Sequence, residues 1–176
     1  MSGHNKWSKI KNKKAVTDAA KSKIFGKIAK AISTASKEAR GDKNSPILRT
    51  AIEKAKEYNM PADNIERAVK KGIGGDAENF EAITYESYGP GGTALIIEAL
   101  TTNRNKAAQE IKHTLSKHGF ELARPGSASW AFTKVDGEWA PNSEVLISPE
   151  DEKVLEDLIN ELEENDEVQS VYTNAV

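Results

Sequence analysis

Ten lysines and Arg40 fall within residues 1–40, against only Asp18 and Glu38. Cations at this density do one piece of chemistry well, which is to neutralise phosphates. Each cation beside a phosphate releases condensed counterions, so such a field binds nucleic acid without regard to base sequence. Lys6, Lys9, Lys11, Lys13 and Lys14 lie in a polar stretch, residues 2–14. That stretch has too little apolar surface to fold and is expected to be a flexible basic arm. Trp7 sits among these lysines; its indole can stack on a base or anchor the arm onto its own domain. Lys23, Lys27, Lys30 and Lys37 recur at a spacing that places them on one face of a helix. Lysine is a point charge without the guanidinium fork, which favours the phosphate backbone over base edges. Arg67, Lys70 and Lys71 fall in the last turns of another predicted helix, where the dipole favours cations. Arg104 and Lys106 open a further helix at Thr102-Asn103-Arg104-Asn105-Lys106, whose first amides can receive an anion. Capping plus a solvated face is the plainer alternative there.

Other chemistries fit less well. Gly89-Pro90-Gly91-Gly92 lacks the Lys-Ser/Thr of a phosphate loop and reads as a strand connection. His4, His113 and His118 lack metal-ligand spacing with carboxylates and read as surface histidines. No nucleophile-elbow pattern occurs. Carboxylates are dense only in the last predicted helix, a setting too solvated for buried acid–base work. The expectation is therefore no enzyme, no cofactor, no metal and no small-molecule substrate. The 176 residues contain no cysteine, which fits a reducing compartment. No apolar run approaches the roughly 18 residues of a membrane helix. A cytoplasmic monomer that meets nucleic acid and no membrane is expected.

The elements that must position these residues follow from periodicity. Residues 18–40 predict a long helix with Ile24, Phe25, Ile28, Ala31, Ile32, Ala35 and Ala39 on one apolar stripe, ended by Gly41. A second helix runs from about Pro46, capped by Ser45, to Tyr58. A third runs from about Pro61 to Lys71, and Gly72, Gly74 and Gly75 are expected to end it and form a hinge. These three make an N-terminal three-helix basic bundle, residues 1–75.

After the glycines the pattern changes to strands near residues 83–88, 93–100, 129–134, 144–147 and 168–173. Helices are expected at 104–118 and 148–164. The order β-β-α-β-β-α-β predicts an α+β sandwich of ferredoxin-like type over residues 76–176. Charge separates along the chain. Residues 135–176 hold thirteen acidic side chains against Lys153, so the formal net charge of -2 conceals a strong dipole.

Several runs together resemble a known family. They are Gly3-His4-Asn5-Lys6-Trp7, Lys23-Ile24-Phe25, Asn59-Met60-Pro61 with Asp63-Asn64-Ile65-Glu66-Arg67-Ala68, and Tyr88-Gly89-Pro90-Gly91-Gly92. Thr101 to Asn105, Gly126-Ser127 and Val168 to Asn174 follow. The chain resembles the YebC/PmpR family of transcriptional regulators and translational activators over nearly its whole length. The resemblance implies a helical N-terminal domain, an α/β remainder, a cytoplasmic location and no catalysis. It also implies a departure. Relatives carry a further domain after the strand that here is Ser129 to Lys134. In this chain Val135-Asp136-Gly137-Glu138 leads at once to Trp139-Ala140-Pro141, the expected re-entry point.

Three functions remain open on these residues: a DNA-binding transcriptional regulator, a factor acting on the ribosome through its RNA, and an adaptor whose acidic end docks a basic protein.

Overall fold

A computed structural model describes residues 17–176, and the described chain divides into two units, residues 17–80 and Glu81–Val176. The basic arm, with Lys6, Trp7, Lys9, Lys11, Lys13 and Lys14, lies outside the described residues.

The first unit holds α1 (Asp18–Glu38), α2 (Pro46–Glu57) and α3 (Ala62–Ile73). Ile28, Ile32 and Ala35 of α1 bury against Leu48 and Ala55 of α2 and Ile65, Ala68 and Val69 of α3. Each fully buried aliphatic side chain contributes about 1.5–3 kcal/mol. The α1–α3 seam is also polar. Ser33 Oγ donates to the Ala68 carbonyl at 3.1 Å, and Ser36 Oγ donates to the Val69 carbonyl at 2.7 Å. Gly72 lies in this seam inside α3, and not in a hinge after it. Ser45 takes the N-cap position of α2 but makes no side-chain cap bond, so Pro46 alone marks that start. Residues 76–80 belong to this unit. Glu78 pairs with Lys71 at 3.3 Å, Asn79 accepts from Lys37, and Phe80 lies under Lys30.

The second unit contains β1 (Glu81–Tyr88), β2 (Ala94–Thr101), α4 (Arg104–Lys117), β3 (Leu122–Ala123), β4 (Phe132–Val135), β5 (Glu138–Pro141), α5 (Pro149–Glu164) and β6 (Val168–Thr173). The main sheet has the order β3-β1-β2-β6, and every pair in it is antiparallel. Its central strand explains the unbroken apolar run in the sequence, because β2 is buried on both faces. Leu95, Ile97 and Ala99 face Ile111 and Leu115 of α4 and Leu155, Leu158 and Leu162 of α5. Ala94 and Ile96 face Ala128, Ala131, Phe132 and the half-buried Trp139, so the β4–β5 side of the unit covers the other face.

The mixed helix-and-sheet architecture agrees with expectation, but the ferredoxin-like β-β-α-β-β-α-β sheet does not. The β1–β2 hairpin occupies the sheet centre, and each later helix returns the chain to an opposite edge. Residues 144–147 form no strand, only an isolated parallel bridge of Val145 to Ala175. Ser129–Ala131 is a 3-10 turn, and β4 pairs with β5 in a separate two-stranded sheet. The two-residue edge strand β3 has no counterpart among the expected strands. Alternation over four residues does not distinguish a ladder strand from extended loop; backbone pairing partners decide that, and they are remote in sequence. The β4–β5 turn is made by Asp136 (φ 50) and Gly137 (φ 83), a left-handed pair suited to a tight hairpin.

Candidate nucleic-acid interface

Thr17 starts α1. Its side-chain oxygen accepts from the Ala20 N–H at 3.2 Å, and Asp18 adds negative charge to the first turn. With the apolar stripe turned inward, Lys23, Lys27, Lys30 and Lys37 fall within about a quarter turn of one another on the other side. Lys37 is exposed, whereas Lys23, Lys27 and Lys30 are half-buried. Long lysine stems lie along apolar surface while the ammonium reaches out. Lys30 Nζ lies 5.1 Å from the centroid of the Phe80 ring, a cation–π contact within the same unit. On α3, Arg67, Lys70 and Lys71 are exposed. Arg67 donates to Asn64 Oδ1 and Lys71 pairs with Glu78. Basic side chains outnumber acidic ones thirteen to nine in residues 17–80, while Glu81–Val176 has seven against eighteen.

Arg104 and Lys106 belong to the second, acidic unit. Asn103 Oδ1 accepts from the Lys106 N–H at 3.0 Å, so the helix caps its own amide. Arg104 pairs with Glu81 at 3.0 Å, and Lys106 pairs with Glu167 at 3.3 Å and Glu110 at 3.9 Å. Lys117 and His118 likewise meet at Glu161, 2.8 and 2.7 Å away. The bond from Lys117, then that from His118, holds the Glu161 carboxyl below the usual range. Arg104, Lys106 and Lys117 of α4 are thus answered by carboxylates of their own unit. Gly89–Gly92 is the β1–β2 connection, with Gly91 (φ 67) so close to Ile147 that a Cβ would lie 2.6 Å from its Cγ2.

Sequence reasoning missed one organising residue. Glu86 on β1 is 6% exposed. Its carboxylate accepts the backbone N–H groups of Gly126 at 2.7 Å and of Ala128 and Ser129 at 2.8 Å. It thereby fixes the loop that leads into β4. Burial pushes the Glu86 carboxyl up, but the three amides and Ser129 outweigh it and hold it below the ordinary carboxylate range. The local alternation of β1 marks Glu86 only as one strand position among others, and no signal for its amide donors exists near it in the chain.

A carboxyl whose folded pKa is depressed contributes stability above its unfolded value, near pH 4.3, and loses that contribution as pH falls through the folded value. Glu86→Gln replaces one acceptor oxygen with a donor facing donors. It is expected to destabilise the second unit by about 2 kcal/mol at neutral pH. In chemical denaturation at neutral pH and at pH near 3, the gap to wild type should narrow at the lower pH. An equal gap at both would show that the charged form of Glu86 carries no stability.

Comparisons with known proteins give the chain's relatives. A family model described as the TACO1/YebC protein N-terminal domain matches residues 5–75. One described as the TACO1/YebC second and third domain matches residues 80–137 and 133–175. A probable transcriptional regulatory protein of Thermoanaerobacter pseudethanolicus is 40% identical over 238 aligned positions, covering 99% of this chain and 96% of that protein. One of Desulfitobacterium hafniense is 44% identical, covering 98% of this chain and 70% of its own length. The crystal structure of a conserved hypothetical protein from Aquifex aeolicus superposes with a TM-score of 0.78 at 31% identity, covering 90% of this chain and 91% of that one. The 238 aligned positions exceed the 176 residues here, so the Thermoanaerobacter protein has residues without counterpart in this chain. The second family match breaks in two at the β4–β5 hairpin. There the Asp136–Gly137 turn joins β4 to β5 directly, as expected for a chain without the inserted domain.

Proposed function

The chain belongs to the TACO1/YebC family, and from that premise we propose that it is a non-enzymatic, cytoplasmic nucleic-acid-binding regulator of gene expression. The observation that supports this most is the segregation of charge onto separate units. The lysine face of α1 and the exposed cations of α3 give residues 17–80 a polyanion-binding character, to which the sequence before them adds five lysines, while Glu81–Val176 is strongly acidic. Such a surface recognises phosphates by counterion release and carries little base-specific information. The relatives' shared name, probable transcriptional regulatory protein, makes DNA the first target to test.

A second reading is action on the ribosome through its RNA. It is favoured by the predominance of lysine over arginine on α1, since backbone recognition serves structured RNA as well as a duplex. No helix of the described residues is long and apolar enough to cross a membrane.

The test is equilibrium binding of the full chain to duplex DNA, to structured RNA and to isolated ribosomes across a salt series. If about six phosphates are neutralised, log affinity should fall with log salt with a slope of about -5 on a duplex and about -4 on a single strand. The substrate bound tightest at about 0.15 M salt identifies the target class. Absence of salt-dependent binding to all three would reject the nucleic-acid reading and favour an adaptor that docks a basic protein on its acidic unit.

A further inference from the structure

Trp130 is the most exposed aromatic side chain among the described residues, 64% accessible, yet its position is tightly specified. It stands in the 3-10 turn Ser129–Ala131, between the Glu86-bound amides of Ala128 and Ser129 and the buried Ala131. Asn142 braces the turn from the end of β5. Its N–H donates to the Ala131 carbonyl at 2.7 Å and its side-chain amide to the Trp130 carbonyl at 3.4 Å. The indole N–H donates to Tyr88 Oη at 2.9 Å, and the Tyr88 hydroxyl donates in turn to the Ser127 carbonyl. The ring's one polar group is therefore satisfied within the protein. The rest of the indole is apolar, on a residue that stays largely open to solvent.

We propose that Trp130, oriented by Tyr88, is a stacking platform for an unpaired base of a single-stranded nucleic acid, with Arg124 of the same loop available to its phosphate. This rests on the nucleic-acid reading above and adds a site in the acidic unit that charge counting would pass over. Three features support it. A ring already hydrogen-bonded cannot read a base edge, but it can stack on any base, because every base has a π-face. Glu86 and Glu98, acids of the adjoining strands, are answered internally: Glu86 by three amides, and Glu98 by Trp139 Nε1 at 2.9 Å and Lys134 at 3.5 Å. Arg124 is exposed at the head of the loop, where its carbonyl accepts the Ser127 N–H at 3.0 Å. A duplex keeps its bases stacked on one another, so the occupant is an unpaired base in a strand, loop or bulge.

The test uses the full chain, with a short single-stranded oligoribonucleotide and its duplex form as probes. Trp130→Ala should weaken single-strand binding roughly tenfold and leave duplex binding unchanged. The salt slope should stay at the wild-type value, because no cation is removed. Trp130→Phe should restore part of the loss. Tyr88→Phe, which keeps the ring but removes the accepting hydroxyl, should show an intermediate loss. Thermal melts of all three should match wild type within a few degrees, since the altered groups are exposed. Wild type that binds the single strand while Trp130→Ala binds it within twofold would overturn the platform and leave the lysine-face reading intact. Wild type that binds neither probe would overturn the platform, and together with absent binding to duplex DNA and ribosomes it would overturn both.

Discussion

Changing Lys23, Lys27 and Lys30 together to Gln should weaken binding to nucleic acid roughly a hundredfold near 0.15 M salt and flatten the log–log salt slope by about 2 to 3 units. The three side chains share one face of α1, away from Ile28, Ile32 and Ala35, so the core is not opened. The ammonium of Lys30 would leave the Phe80 ring, at a cost of about 0.5–1 kcal/mol for a partly exposed site. Stability should therefore change little while binding changes greatly. The loss should be similar across sequences, because phosphates and not base edges are read. Anisotropy titrations at several salt concentrations, with a thermal melt as control, measure both quantities. A folded variant with unchanged affinity and slope on DNA, RNA and ribosomes would remove α1 from the interface.

Gly72→Ala is expected to destabilise the helical unit by about 3 kcal/mol or more. In a helix interior the exchange alone would stabilise by about 1 kcal/mol, because alanine is the better helix former. Sterics decide otherwise here. A Cβ on Gly72 would lie 2.3 Å from the Ser33 carbonyl oxygen, 2.7 Å from Ser36 Cβ and 3.1 Å from the Lys37 nitrogen. These are backbone and near-backbone atoms of α1, so relief requires the helices to move apart. That movement strains the Ser33–Ala68 and Ser36–Val69 hydrogen bonds, which are buried.

Gly26 supplies the control. It lies inside α1, and a Cβ built on it would meet nothing within 4 Å. Gly26→Ala should therefore stabilise by up to about 1 kcal/mol. Urea unfolding of both variants reads the difference. A neutral or stabilising Gly72→Ala would mean that α1 and α3 do not pack as closely as described.

Much of the architecture is legible from local pattern. The stripe from Ile24 to Ala39 repeats with helical period, and the core uses most of it. Pro46 sets the start of α2, Asn103 caps α4 through the Lys106 N–H, and Ser148 caps α5 through the Asp151 N–H at 3.1 Å. The run from Thr93 to Leu100 reads as a central strand, and β2 is central. In each case the determining interaction lies within a few residues, so a short stretch of sequence contains its cause.

The candidate interface is only half legible for the same reason. Lysine density names the chemistry, but not which lysines are partly covered, nor that Arg104 and Lys106 are answered by Glu81 and Glu167. Those pairings join residues far apart in the chain. Gly72 reads as a helix stop because glycine commonly ends helices; its requirement comes from the Ser33 carbonyl on another helix. Glu86 is one charged residue in an alternating strand by sequence, and the receiver of three amides from residues 126–129 by structure. Composition and periodicity by themselves determined the charge dipole, the helices and the central strand, because these depend on local propensity and on the period of apolar residues. Sheet order, the close α1–α3 seam, the buried Glu86 and the exposed orientation of Trp130 were decided only by tertiary structure, because each depends on groups that meet after the chain has folded.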